Sequence, residues 1–115
     1  MASSASSDCL YEVVSGQILL SERERFFRLH SEVLLPIMKQ VGIRPHLLLI
    51  TEIGRYGRFL DVYCYESLAE YQRLTDQLLA DPRMVPYYQE VGTCIQGSIM
   101  VEIMRELPYG KHWTQ

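Results

Sequence analysis

Two stretches of this chain repeat apolar residues at helical spacing, each behind a run of strand-forming residues, and that order restricts the folds open to it most. The first strand-like run is Leu10 to Ile18, rich in Tyr and Val, with Gly16 marking a bulge or a place of close approach. Ser21 followed by Glu24 matches a capping box and predicts a helix start, since each side chain can satisfy a backbone N–H left free in the first turn. Phe26, Leu29, Val33, Ile37 and Val41 then form one stripe, widened by Phe27, Leu34 and Met38, and Gly42 can close the helix. Pro36 predicts a kink or a break into two helical pieces, because it lacks an N–H and crowds the preceding turn.

Pro45 to Ile53 and Phe59 to Tyr65 are strand-like runs on either side of Gly54-Arg55-Tyr56-Gly57-Arg58, which fits a hairpin loop. Ser67 and Glu70 repeat the capping box, and Leu68, Tyr71, Leu74, Leu78 and Leu79 make a second stripe. Asp81-Pro82 predicts a short extra helix over Arg83 to Val91, and Cys94 to Met104 is the last strand. The order is strand-helix-strand-strand-helix-strand. Both helices can cover one face of a four-stranded antiparallel sheet, an α+β domain of two layers.

At 115 residues and 48% hydrophobic content the chain has the size and the apolar material for one core and no second domain. Residues 1–8 read as a flexible tail, 9–106 as the domain and 107–115 as a C-terminal arm in which Trp113 is available to cover a partner's cavity. A net charge of -3 with both signs mixed gives no footprint for nucleic acid or an anionic membrane. Apolar runs fall far short of the roughly 20 residues of a membrane span, and no signal pattern opens the chain, so a cytoplasmic location is expected. Cys9, Cys64 and Cys94 form no disulfide framework in sequence and read as buried small apolar residues.

In the third strand Phe59, Asp61, Tyr63 and Tyr65 point one way and Leu60, Val62 and Cys64 the other. The aliphatic set suits the face under the helices. The aromatic set then needs another cover, and a second copy of the sheet related by two-fold symmetry would supply it, with a shared cavity.

Several segments resemble the NIPSNAP family: Tyr11-Glu12-Val13, His30 through Met38, Thr51-Glu52-Ile53-Gly54, Tyr65 through Glu70, and Asp81-Pro82. The resemblance spans nearly the whole domain. It implies a ferredoxin-like βαββαβ fold assembling as a homodimeric α/β barrel, within a superfamily that includes cofactor-independent monooxygenases, polyketide cyclases, muconolactone-type isomerases and haem-handling enzymes. Val14 and Gly16 stand where such sequences often carry Arg and Tyr, and Asp61, Tyr63 and Cys64 where they often carry His, Trp and Glu, which makes the pocket individual.

His30, beside the first helical stripe, has the side chain most suited to acid-base work near neutral pH; a scaffold histidine bonded to a neighbour is the other reading. Asp61 among Phe59 and Tyr63 would be a carboxylate in an aromatic cavity, or else the partner of Arg58 or of a second chain. Tyr63, Tyr65, Tyr87 and Tyr88 can orient a carbonyl or simply pack, and Arg55 and Arg58 can hold an anion or simply face water. His30, His46, Glu52 and Glu102 include no close ligand pair, so metal chemistry is discounted. No phosphate loop, nucleophile elbow or dinucleotide fingerprint is present, which argues against ATP and NAD. Together these residues predict a small-molecule enzyme that cyclises, isomerises or rearranges an apolar or aromatic carbonyl compound without a cofactor. His30 and Asp61 would move protons, and Tyr63, Tyr65, Tyr88 and Arg58 would bind the substrate. A cofactor-free monooxygenase and a non-catalytic binding protein are the alternatives.

Overall fold

The computed structural model describes residues 9–114, so the expected N-terminal tail lies outside the described residues. Four strand runs pair into one antiparallel sheet of order β2-β3-β1-β4, with β1 at Leu10–Ile18, β2 at Arg44–Ile50, β3 at Arg58–Tyr65 and β4 at Ile95–Arg105. The order matches the ferredoxin-like α+β arrangement, with β1 and β3 central. Gly16 meets both of its expectations: the β1–β4 register shifts across it, and a Cβ there would lie 2.9 Å from the Phe59 ring. Gly57, at φ +82° with its carbonyl accepting from Ile18 N–H, ends the hairpin loop in a conformation that favours glycine. The strand before that loop ends at Ile50, leaving Glu52 in the loop rather than in a strand.

The first helical region is α1 (Arg23–Leu29), a π turn (His30–Leu34) and α2 (Leu35–Val41) in continuous succession. Ser21 does not cap it. A 3-10 turn at Leu20–Glu22 precedes α1, and no side chain closes the first turn. Nor does Pro36 break the helix. Leu35 N–H reaches back five residues to the His30 carbonyl, and the widened turn accommodates the proline that follows. The extra residue shifts the buried stripe from the expected Leu29-Val33 step to Leu29-Leu34, and Ile37 and Met38 continue it. α3 (Leu68–Ala80) does start on its box, with Glu70 N–H donating to Ser67 Oγ at 3.0 Å. α4 (Met84–Gly92) starts just after the expected Arg83, and Asp81 accepts from the backbone N–H and guanidinium of Arg83 in the turn that leads into it. After β4, a short α5 (Gly110–Trp113) leaves Trp113 exposed. Among the described residues no helix is long and apolar enough to cross a membrane.

One expectation is reversed. Phe59, Asp61, Tyr63 and Tyr65 lie buried beneath the helices, whereas Leu60, Val62 and Cys64 are half-buried on the outer face. Alternation separates the two sets but cannot say which is inside when both are apolar. The helices select the set that fills more volume and brings hydroxyl donors for the carboxylates beside it. Cys64 and Cys9 are correspondingly half-buried, with sulfurs 3.1 Å apart, and only Cys94 is fully buried.

Candidate functional site

The inward face of the sheet carries Glu12 and Val14 on β1, Phe59, Asp61, Tyr63 and Tyr65 on β3, and Val101 on β4, and the helices arch over it. They leave a cavity of about 170 Å³ floored by these side chains and roofed by Leu34, Met38, Leu78, Tyr87, Tyr88 and Val91 among others. A second cavity of about 330 Å³ lies towards β2, against Leu48 and Ile50. Phe26, His30, Phe59 and Asp61 line both, so this group forms the wall between them.

Within that wall His30 Nε2 lies 2.7 Å from Asp61 Oδ2, and the Tyr63 hydroxyl donates to the same oxygen at 2.9 Å. The His30 ring stacks on Phe26 with centroids 5.4 Å apart, and Phe26 packs on Phe59 at 4.9 Å. Asp61 is therefore paired with His30 and not with Arg58. Residues three apart on a strand face opposite sides, and Arg58 is exposed and outside both linings. Burial first, then the neighbouring Asp61 carboxylate, pushes the Tyr63 hydroxyl far above its ordinary range, which keeps it a proton donor. Tyr65 lines the cavity, and Tyr88 lines it from a half-exposed position at the edge.

The sequence reading missed Glu12. Tyr65 and Tyr71 hydroxyls donate to its two oxygens at 3.1 and 3.3 Å, and among the described residues no cation pairs with it. The available signal was a lone acid in register with Leu10 and Val14 on the inward set of β1. Burial raises the Glu12 carboxyl above its usual 4.5, against the weaker opposing pull of the two phenols. The folded chain thus holds this proton more tightly than the unfolded chain, so the contribution to stability is fully present below pH 4.5 and is lost as pH rises through the raised value. Urea unfolding at a series of pH values should show Glu12→Gln gaining on the unsubstituted protein as pH rises from 4.5 towards neutrality; an unchanged difference would refute this.

Neither cavity lining contains Lys or Arg. Among the described residues no group of three His, Cys, Asp or Glu is placed to hold a metal ion, and His46 lies on the other face of the sheet beside Tyr11. The site can orient an imidazole, move protons and bind an apolar body.

Comparison with known proteins gives the family. A NIPSNAP protein of Agrobacterium tumefaciens has 18% identity and a TM-score of 0.76 over 88% of this chain and 96% of its own. A second from the same organism has 17% identity and a TM-score of 0.78 over 89% and 96%. A candidate antibiotic biosynthesis monooxygenase from Nitrosomonas europaea has 11% identity and a TM-score of 0.67 over 87% and 91%, a likeness of fold. Among curated proteins none matches the sequence. The NIPSNAP family model matches residues 11–110, and with that match over nearly the whole length the chain belongs to the NIPSNAP family.

Proposed function

We propose that the protein is an acid-base enzyme acting on a small, uncharged, largely apolar or aromatic carbonyl compound, and that it cyclises, isomerises or rearranges it without a cofactor. The observation that carries this is the 2.7 Å contact of His30 with Asp61 in the wall shared by two cavities. Asp61 Oδ2, which already accepts from the Tyr63 hydroxyl, accepts from His30 Nε2 as well, and this leaves Nδ1, which has no partner among the described residues, as the base. Phe26 holds the ring in plane. A carbon acid seated against it loses a proton to Nδ1, and the electron pair moves into the carbonyl to give an enol or enolate for the following bond change. The cavity linings offer no Lys or Arg to neutralise a bound charge, which disfavours anionic substrates.

The test is a panel of neutral aryl ketones and 1,3-diketones in deuterated buffer, with loss of the α-proton signal followed by NMR. Exchange faster than buffer that His30→Ala reduces at least tenfold is the expected result. No acceleration with any compound would overturn the proposal.

A second reading is favoured by the fold likeness to the Nitrosomonas europaea protein, namely oxygen insertion into an activated phenol or enol. Oxygen consumption during turnover separates the two. Purely non-catalytic binding is less well supported, since the interior holds open cavities rather than filled packing.

The active form proposed is a homodimer, with the outer sheet face covered by a second copy. Leu47, Leu49, Met100 and Met104 are exposed there, around half-buried Val13 and Val62, an apolar surface on both the edge and the central strands. Light scattering should return twice the 13.4 kDa chain mass, and Leu49→Glu should shift it towards the monomer; a monomer at high concentration would refute the assembly.

A further inference from the structure

We infer that Glu12 is a second proton-transfer residue of the same cavity, acting at a different substrate atom from His30. The substrate class that follows is an enolisable carbonyl compound with a carbon–carbon double bond placed to conjugate with the enol. This rests on the acid-base reading above.

Glu12 pairs across the sheet with Tyr63, and Asp61 is two residues along β3 from Tyr63, so the two acids are diagonal neighbours on the inner face. Such neighbours stand about 7 to 8 Å apart at the backbone. Both line the smaller cavity. They are held by separate partners, Asp61 by His30 and Tyr63, Glu12 by Tyr65 and Tyr71. A buried structural carboxylate is ordinarily matched by Arg or Lys; phenols differ because each can donate to a carboxylate or accept from a carboxylic acid. Glu12 is consequently held in place in either protonation state. Burial also raises its carboxyl above the usual value, the reverse of what a purely ionic anchor requires.

The step balances as a proton transposition. His30 Nδ1 takes the α-proton, the C–H electron pair enters the dienolate, and the carbonyl oxygen carries the charge. The carboxylic acid of Glu12 then gives its proton to the γ-carbon, its O–H electron pair stays on the carboxylate, and the carbonyl re-forms as the conjugated isomer. Water returns a proton to Glu12 and removes one from His30.

The probe is a neutral β,γ-unsaturated aryl ketone in deuterated buffer, with α-exchange read by NMR and conjugation by ultraviolet absorbance on the same sample. The unsubstituted protein is expected to catalyse both. In Glu12→Gln the ratio of conjugation to exchange should fall about 100-fold or more, and Glu12→Asp, which keeps the acid, should recover part of it. A merely structural role would lower both rates together and leave the ratio unchanged, which overturns the proposal, as does exchange without conjugation in the unsubstituted protein. Neither exchange nor conjugation in the unsubstituted protein would instead overturn the acid-base reading itself.

Discussion

Asp61→Asn is expected to slow α-proton exchange by about 10² to 10⁴-fold with little change in the cavity's shape. The carboxylate receives His30 Nε2 at 2.7 Å and the Tyr63 hydroxyl at 2.9 Å through a single oxygen. An amide of the same size can meet the imidazole with its NH₂ group, which reverses the polarity and turns the His30 proton to Nδ1, the atom that must be basic. Should the amide keep its oxygen towards His30, the imidazolium formed in the reaction still loses its counter-charge. Because His30 and Asp61 act as one unit, replacing both should cost no more than about threefold beyond the worse single variant, instead of the product of the two losses. The measurement is the rate of deuterium incorporation for both single variants and the double variant at equal folded concentration. Multiplicative losses would mean that the two groups act independently and that the pairing has no part in catalysis.

Phe26→Ala should produce the largest loss of stability among the site residues, about 3 kcal/mol. The ring is 4% exposed, packs on Phe59, stacks on His30 and lines both cavities. Its removal takes away the buried ring's transfer free energy and enlarges empty space beside cavities that already exist, where neighbours have little reason to collapse inward. Urea denaturation should show a lower midpoint with an unchanged slope. Exchange should fall as well, since the imidazole loses the surface that sets its plane. A stability change below about 1 kcal/mol would show that the ring is not a packing element.

The element order was readable because it depends on local periodicity. Ser67 with Glu70 capped the helix that the pattern announced. The equivalent pair Ser21 and Glu24 did not, because the 3-10 turn at Leu20–Glu22 delivers the chain into α1 by another route. Pro36 announced a disturbance correctly in place but not in kind: the helix absorbed it by widening just ahead of the proline, where His30 begins the π turn. His30 and Asp61 could each be singled out as chemically capable residues. Their contact could not, since 31 residues separate them and only the packing of the helix on β3 brings them together. Glu12 passed unnoticed because its significance depends on Tyr71, which arrives from α3.

The amino-acid sequence alone thus determined the strand and helix order, the hairpin and the family, all of which follow from short-range spacing and recognisable segments. Tertiary structure decided which face of the sheet is inside. Both faces of β3 are apolar enough to be buried, so alternation was silent, and the choice fell to the side that fills the space beneath the helices while satisfying the hydroxyls of Tyr63 and Tyr65 with carboxylates. That choice turned the aromatic set from an expected subunit seam into the floor of a cavity, and it is the reason Asp61 meets His30 rather than Arg58.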